Sequence, residues 1–370
     1  MQEHLACVSR PQAVVLALWS FGVAVTGCCG LTSVSVLLGE VLGRNWATMR
    51  QRLREWYWDA AHKKGHRRAE LDVTCCFVPL LRWVLTLWPV GDKRVALAID
   101  ATSLSDRFTV LSISLLYQRC AIPVAWWVVG AQDKGSWKPQ WLRLLALMHD
   151  GIPSDCLVLV AADRGLYADW LFRAIVEHGW HPFLRVNGDG KYRRLHGRLE
   201  RRLSAAAPQP GSHWSGRVVC FKSRPLRCTL LADWGVGYAE PCLVLTDLLP
   251  QDADGRWYAL RSWIEDGFKD LKRGGLQWQR TRITDPTRAQ RMWLVLAVAT
   301  LRLISIGAAV EPLASEADPR SLPATNAPPK QPPLSRFRHG QLRLLGTLIR
   351  QIILPEMPLS PYTWPAFDTS

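Results

Sequence analysis

Two aspartates follow predicted β-strands in the middle of the chain. Asp100 comes directly after the apolar run Val95–Ile99, and Asp163 comes directly after the apolar run Cys156–Ala162. The carboxyl ends of neighbouring parallel strands open into one crevice at the edge of an α/β sheet. Taken singly, each aspartate is also typical of a turn or a helix cap. The pair therefore predicts a shared site if the two strands are neighbours.

A third acid, Glu265, lies in a segment with helical periodicity, Trp257–Arg273. Three carboxylates form the hard oxygen ligand set that Mg²⁺ or Mn²⁺ prefers. Two such ions, about 3.5–4 Å apart, can activate a water or a 3′-OH and stabilise the leaving oxygen. If this helix lies across the sheet edge, Asp100, Asp163 and Glu265 would complete such a site, as both metal ligands and catalytic residues, with two ions of Mg²⁺ or Mn²⁺.

The segment Trp257–Arg273 has two distinct faces when it is drawn as an α-helix. At 100° per residue, an arc of about 80° carries only polar side chains, namely Tyr258, Arg261, Glu265, Lys269 and Lys272. A separate stripe is apolar and includes Leu260, Ile264 and Phe268. The alternative is an ordinary amphipathic surface helix in which Glu265 and Lys269 form a routine pair.

Bulk composition narrows the class of partner. A net charge of +15 predicts binding to a polyanion, which is most commonly nucleic acid. The uncharged segment Gln12–Gly39 is long enough for a membrane helix, but its glycines and hydroxyl residues favour two short buried helices. The ten Cys show no C-x-x-C spacing, which indicates reduced thiols and a cytoplasmic protein. The sequence has no P-loop, which argues against an ATP-dependent machine.

The chain divides into three predicted regions. Residues 1–90 are a helical domain whose basic run Arg44–Arg68 suits DNA binding. Residues 91–310 read as a hairpin followed by strands alternating with helices, which predicts an α/β fold with a mixed sheet and flanking helices. Within them, 187–256 form a basic, β-rich insertion before the helix of Glu265. Residues 311–370 form a Pro-rich linker and a C-terminal segment.

The residues of the acidic helix resemble a family signature. Tyr258, Arg261, Glu265 and Lys272 are separated by two, three and six residues. This spacing resembles the Tyr–Arg–Glu–Lys signature of bacterial insertion-sequence DDE transposases. The resemblance extends to Ile99-Asp100-Ala101-Thr102 and Ala162-Asp163-Arg164-Gly165, and covers about Arg94–Ile306. It implies an RNase H-like catalytic core with a β-rich insertion before the helix that carries the glutamate.

The resemblance also implies a role for each matching residue. Asp100, Asp163 and Glu265 would be the metal-binding triad. Four residues of the helix would contact phosphates of the transposon end, namely Tyr258, Arg261, Lys269 and Lys272. A Trp of the insertion would stabilise a flipped base; Trp234 stands at about the right place, Trp214 is an alternative, and a role in the core is a further one.

These expectations define a DNA transposase of an insertion sequence. Such an enzyme would bind terminal inverted repeats of double-stranded DNA, cut them with bound metal, and transfer the 3′-OH ends into target DNA. It would act as a homodimer on the bacterial nucleoid, with no role for a membrane. Two alternatives remain open from the sequence: a catalytically inactive DNA-binding relative or repressor of transposition, and a protein anchored to a membrane through Gln12–Gly39.

Overall fold

Apolar strands in the first half of the chain form the centre of one large sheet. The computed structural model describes residues 1–63, 69–104, 106–309, 334–353, 358–362 and 364. The first five strands are β1 Arg94–Leu104, β2 Phe108–Tyr117, β3 Cys120–Gly130, β4 Leu157–Ala162 and β5 His181–Arg185. All ten residues of β2 are buried, as are residues 95–99 of β1. A strand that is apolar on both faces suits the middle of a sheet covered on both sides.

The order and direction of these strands define the fold class. They are arranged β3-β2-β1-β4-β5. β1 is antiparallel to β2 and parallel to β4, and β4 is parallel to β5. Helix α5, Lys138–Met148, precedes β4, and helix α6, Asp169–Glu177, connects β4 to β5. Three antiparallel strands followed by two parallel ones form the RNase H-like arrangement, so the α/β class with a mixed sheet is confirmed.

The basic insertion extends this sheet. Its strands are β6 Lys191–Arg194, β7 Arg201–Arg202, β8 His213–Cys220, β9 Leu226–Asp233 and β10 Cys242–Thr246. β10 pairs with β5 in the antiparallel direction, and the order continues β10-β9-β8-β6-β7. The strands of residues 187–256 are therefore hydrogen-bonded to the central sheet through one shared neighbour, β5.

The remaining helices include a long apolar one. They are α1 Arg10–Thr26, α2 Leu31–Leu42, α3 Trp46–Tyr57, α4 Phe77–Thr86, α7 Trp263–Leu271, α8 Pro286–Ala308 and α9 Arg336–Ile349. The long apolar helix is α8, against which α1, α3 and α9 pack. Gly27 ends α1 in the left-handed region at φ 60°, which gives the two short helices expected from the uncharged segment. Within the described residues, α8 has the length and hydropathy of a membrane span. Its most apolar stretch of 18 residues is 94% buried inside the protein. α1 and α2 reach the length and hydropathy of a membrane span only when they are counted together, and the chain bends by 103° between them.

Contacts divide the chain into two compact units. The helical unit comprises Met1–Asp92, Gln118–Ile122 and Asp266–Pro361. The sheet unit comprises Lys93–Tyr117, Pro123–Glu265 and Tyr362–Ser370. Glu265 is thus the last residue of the sheet unit before the chain enters the helical unit. Two predicted features, the end of the basic run at 64–68 and most of the Pro-rich segment at 311–333, lie outside the described residues.

A buried arginine joins several segments of the helical unit. Arg291 of α8 is 2% exposed and donates hydrogen bonds to the carbonyls of Tyr57, at 2.8 Å, and Leu71, at 3.2 Å. It also pairs with Asp59 at 2.9 Å and with Glu70. An arginine is tolerated in this core because its N–H groups are paired with carbonyls and carboxylates.

Two elements of the site differ from the sequence predictions. The continuous α-helix predicted at Trp257–Arg273 is wrong in its first part, because Gly255–Ser262 is a 3₁₀ helix and α-helix begins at Trp263. Asp254 starts the tight turns by accepting the backbone N–H of Arg256 at 2.9 Å. Strand β1 also continues past the predicted end at Ile99 as far as Leu104, because β2 pairs with it there.

Candidate active site

Asp100 and Asp163 lie side by side where the parallel pairing of two strands stops. The last parallel pair of β1 and β4 is Ile99 with Ala162. Each aspartate follows that pair by one residue, Asp100 within β1 and Asp163 directly after β4, and neighbouring strands are about 4.8 Å apart. The sheet therefore places both carboxylates at the same edge, although Asp100 lies inside β1 and not at its end.

The backbone holds one oxygen of each aspartate in place. Oδ1 of Asp100 accepts the N–H of Ala101 at 2.8 Å. Oδ1 of Asp163 accepts the N–H groups of Gly165, at 2.9 Å, and Leu166, at 3.2 Å. A Cβ at Gly165 would lie only 3.2 Å from Oδ1 of Asp163, so this tight turn favours glycine. In both residues Oδ2 remains available for another partner.

That partner is Arg261 of the 3₁₀ helix. Its guanidinium lies 2.7 Å from Oδ2 of Asp100 and 3.6 Å from Oδ2 of Asp163, and it also pairs with Glu265. The arginine side chain is 12% exposed, whereas that of Glu265 is 53% exposed. One cation thus bridges the three acids that the sequence singles out, and all four residues belong to the sheet unit.

The electrostatics of the cluster favour a cation. Burial raises the pKa of Asp100, and the neighbouring carboxylates of Asp163 and Glu265 raise it further. Arg261 and the N–H of Ala101 oppose this shift. Three carboxylates near one another repel unless positive charge lies between them, and here the guanidinium supplies only one charge. A divalent cation would compensate the cluster more completely.

The three carboxylates fit the donor set of a divalent metal site. Their oxygens are hard ligands that suit Mg²⁺ or Mn²⁺. Within the described part of the chain, they do not bring three ligand atoms within 4.8 Å of one another, as one shared ion would require. Both aspartates face Nη2 of the guanidinium and Glu265 faces Nη1, so the three carboxylates would have to release Arg261 to hold metal.

Tyr258 lies three residues before Arg261, one 3₁₀ turn away, so both side chains project from the same side. Burial raises the pKa of its phenol well above the ordinary value. The residue lines a cavity of about 480 Å³ in the sheet unit, together with Trp214, Arg185 and Arg256. This cavity is bounded on the other side by the insertion, through β8, β9 and the loop that follows β9.

The other predicted DNA-contacting residues are dispersed. Trp234 lies in the loop after β9, where its ring N–H donates to the carbonyl of Tyr238 at 2.9 Å, and Trp214 lies on β8. Lys269 lies one turn after Glu265 on α7 and pairs with Asp266 at 2.8 Å. Lys272 follows the end of α7 and is half-buried, and burial lowers its pKa.

The structure adds a basic pair that the sequence reasoning did not single out. Glu240 joins Arg164 at 2.7 Å to Arg185 at 3.2 Å. Arg164 directly follows Asp163, and Arg185 ends β5, the third parallel strand of the sheet. The available signal was position, since a residue that ends a parallel strand shares the edge that carries Asp100 and Asp163.

Two aspartates at the end of the parallel ladder of a mixed sheet, and a glutamate paired to them through Arg261, offer the hard oxygen ligands that suit a divalent metal ion. Residues 129–302 match the family model described as "Transposase DDE domain". The matched stretch contains Asp163 and Glu265 and begins after Asp100. The chain therefore carries an enzyme domain of DNA transposition, whose chemistry is metal-dependent cleavage and transfer of DNA strands.

A solved structure also resembles the chain. It is the cryo-EM structure of the piggyBac transposase synaptic complex with hairpin DNA, with 12% sequence identity and a TM-score of 0.42. The alignment covers 93% of this chain and 73% of that chain. A TM-score of this size does not by itself define a shared fold. No curated protein matches the chain.

Proposed function

We propose that this protein is the transposase of a bacterial insertion sequence of the Tyr–Arg–Glu–Lys group. It binds terminal inverted repeats in double-stranded DNA, cuts at their ends, and transfers the 3′-OH ends into target DNA. The observation that supports this most directly is the pairing of Asp100, Asp163 and Glu265 with one residue of the signature, Arg261. The proposal places the protein in the bacterial cytoplasm at the nucleoid.

Asp100, Asp163 and Glu265 would hold two ions of Mg²⁺ or Mn²⁺, which supply activation of water or a 3′-OH and stabilise the leaving oxygen. With their charge compensated in this way, the carboxylates would no longer need Arg261 as their counter-charge. A planar guanidinium binds phosphate through two parallel hydrogen bonds, so the freed side chain suits a phosphate beside the cleaved bond. The N–H groups of Gly165 and Leu166 keep the carboxylate of Asp163 oriented throughout.

The remaining signature residues position the DNA end. Tyr258 presents a phenol O–H that stays protonated, so it donates a hydrogen bond to phosphate. Lys269 and Lys272 add positive charge along the backbone. Trp234 and Trp214 are the two choices for stacking on a flipped base; Trp214 lines the cavity that Tyr258 also lines, whereas the ring N–H of Trp234 is bound to Tyr238. Synapsis of two transposon ends requires a homodimer.

Cleavage of a labelled duplex that carries the element's ends tests the proposal. We expect nicking at the 3′ end in Mg²⁺ or Mn²⁺ and none in EDTA. Asp100→Asn, Asp163→Asn and Glu265→Gln should each lower the cleavage rate by at least about 100-fold, the scale for losing a group that acts on the transition state. Asp106→Asn is the matched control, because Asp106 is an exposed acid on the turn after β1. Triad variants that cut like the wild type would refute the metal site.

A catalytically inactive DNA-binding relative is the second candidate. The observation that favours it is Arg261 itself, which compensates the triad and could keep metal out permanently. Binding to the element's ends without cleavage in either metal, by wild type and Arg261→Ala alike, would support this candidate over the transposase.

A further inference from the structure

A second basic site lies in the helical unit, apart from the acidic triad. It is a cavity of about 510 Å³. Five of its lining residues are arginines and one is an acid: Arg50, Arg54, Arg280, Arg282, Arg288 and Asp285. This arginine pocket combines α3, the start of α2 and the segment that leads into α8. Asp285 caps α8 by accepting the N–H of Arg288, and its single carboxylate balances only one of the five guanidiniums that line the pocket.

The arginines of the pocket are incompletely paired. Within the described residues, no carboxylate lies within ion-pair distance of Arg50, Arg280 or Arg282. Arg54 stacks its guanidinium over Trp58 at 5.3 Å, which leaves its N–H groups for a ligand. Arg288 pairs with Asp59 at 3.1 Å, but its buried Nε has no hydrogen-bond partner among the described residues. Unpaired guanidinium groups facing one concavity indicate an anionic ligand.

Tyr57 shows that the guanidiniums converge. Burial raises the pKa of its phenol, and the positive charges of Arg54, Arg288 and Arg50 act against that shift. One phenol at the wall of the pocket is therefore close to three arginines from two different helices. Its O–H adds a neutral donor to the cationic ones.

The start of α2 adds a second kind of anion-binding group. Leu31, Thr32 and Ser33 form the first turn of this helix and line the pocket. The N-cap is Gly30, so no side chain caps the backbone N–H groups, and the first turn contains no acid. The positive end of the helix dipole thus adds to the field of the arginines.

We propose that the arginine pocket binds the phosphodiester backbone of DNA. The proposal rests on the transposase function, since it assigns the phosphates to the DNA on which the triad acts. A guanidinium fork binds phosphate oxygens through two parallel hydrogen bonds, and several guanidiniums together suit a ligand with more than one negative charge. Arg280 and Arg282 are exposed, so the basic surface continues out of the concavity, as a chain of phosphates requires. The helical unit thus contacts DNA with residues on both sides of the sheet unit in sequence.

The test is DNA affinity as a function of salt, measured by fluorescence anisotropy in EDTA so that cleavage plays no part. The pocket variant is Arg50→Gln with Arg282→Gln. The matched control is Arg10→Gln with Arg52→Gln, which removes the same charge from exposed positions of the same unit; Arg52 lies on α3 between two pocket arginines but does not line the pocket. Binding is measured on a duplex with the element's ends and on a scrambled duplex.

We expect the pocket variant to bind both duplexes at least about tenfold more weakly than wild type does. The slope of log K against log salt should fall in magnitude by about 1.8, because each lost phosphate contact contributes about 0.9. The control should stay within about twofold of wild type, with its slope unchanged. Arg50→Lys with Arg282→Lys should keep the slope and lose part of the affinity, which excludes misfolding as the cause.

A pocket variant that matches the control in affinity and slope would overturn the proposal. A small phosphate compound is the alternative ligand of the pocket. Thermal shifts with inorganic phosphate and with ATP test for it. If these ligands stabilise wild type but not the pocket variant, while DNA binding is unaffected, the pocket holds a small phosphate compound and the proposal is wrong. Because binding in EDTA does not depend on cleavage, failure of the catalytic assay leaves this result intact.

Discussion

Arg261 shows how a single side chain can serve two states of a site. It is nearly buried and pairs with three acids, so it stabilises the fold while the triad holds no other cation. A divalent ion competes with it for the same oxygens. The stability conferred by the arginine and the affinity for metal must therefore oppose one another.

Arg261→Gln tests this competition. The substitution removes the compensating charge, so the metal-free variant should lose about 1–3 kcal/mol of unfolding free energy. Mn²⁺ should then raise the melting temperature of the variant more than that of the wild type. Arg173→Gln is the control, because Arg173 makes an exposed pair with Asp169 away from the triad. Equal metal-induced shifts in melting temperature in wild type and Arg261→Gln would contradict the competition.

Asp270 makes stability depend on pH in a defined window. Burial raises its pKa to about 7, and the negative charge of Asp266 adds to the shift, while Lys269 opposes it. The unfolded chain loses this proton near its ordinary pKa of about 4, whereas the folded chain keeps it to about 7. The folded state therefore binds this proton more tightly than the unfolded chain does. The free energy of unfolding is highest at low pH and falls as pH rises from about 4 to about 7. Urea midpoints at pH 5 and pH 7 should differ less in Asp270→Asn than in wild type; an unchanged difference would contradict the assignment.

Three cysteines form a cluster whose thiols differ in reactivity. The Sγ of Cys76 lies 3.4 Å from that of Cys7 and 3.9 Å from that of Cys75. The hydrogen bond from Cys76 lowers the pKa of Cys75 to about 6, whereas burial raises the pKa of Cys7 to about 11. Cys75 is exposed, so iodoacetamide at pH 7 should alkylate it first, with a rate that rises around pH 6. Peptide mass spectrometry measures this, with buried Cys29 as the internal control. Equal rates at Cys7 and Cys75 would rule it out.

At the scale of elements, two glycines set the distance between α8 and α9. A Cβ at Gly307 would lie 1.9 Å from the carbonyl oxygen of Arg336, and a Cβ at Gly340 would lie 1.8 Å from that of Leu303. The two backbones therefore touch, and neither position can accept a methyl group unless the helices separate.

Gly340→Ala should accordingly lower the free energy of unfolding by about 1–3 kcal/mol, although alanine is the better helix former. Gly346→Ala is the matched control, because Gly346 lies on the same helix with open space around its Cβ. That substitution should be neutral or stabilising. Denaturant unfolding measures both. A Gly340→Ala variant as stable as the Gly346→Ala variant would show that the helices do not cross so closely.

The sequence predicted the elements that carry a strong local signal. The apolar runs before Asp100 and Asp163 predicted β1 and β4, and the predicted hairpin is formed by β2 and β3, which are joined at Gln118 and Arg119. The 3₁₀ helix at Gly255–Ser262 was missed because a 3.0 and a 3.6 residue period differ little over so short a stretch. The extension of β1 to Leu104 depends on pairing with β2, which no local pattern records.

The site was predictable in its residue types and not in its contacts. Asp100 and Asp163 followed from strand ends, and Glu265 from the signature spacing. Their pairing with Arg261 depends on how the 3₁₀ turn meets the sheet edge, which is a tertiary property. For the arginine pocket, the sequence indicated the basic run that contains Arg50 and Arg54, but not its meeting with Arg282, which lies far away along the chain.

At the scale of the whole molecule, segments of the helical unit and of the sheet unit alternate along the chain. The helical unit takes its parts from both ends of the chain and from a short middle segment. Within it, the backbone N–H of Cys29 donates to the carbonyl of Leu276 at 2.8 Å, and Gln341 reaches the carbonyl of Ala24 at 3.4 Å. The N-terminal helices are thus packed against α8 and α9, which follow Glu265 in sequence.

This interleaving predicts what happens when residues 1–92 are removed. The fragment 93–370 should not behave as a soluble catalytic domain, because it loses α1 to α4 and exposes the apolar surface of α8 against which α1 and α3 pack. We expect aggregation on size-exclusion chromatography and reduced helical signal in circular dichroism. Coexpression of residues 1–92 as a separate chain should restore a soluble complex, since the lost contacts are noncovalent. A monodisperse 93–370 fragment that melts at the wild-type temperature would show instead that residues 1–92 form an independent domain, and the contacts of Cys29 and Gln341 would then contribute little to stability.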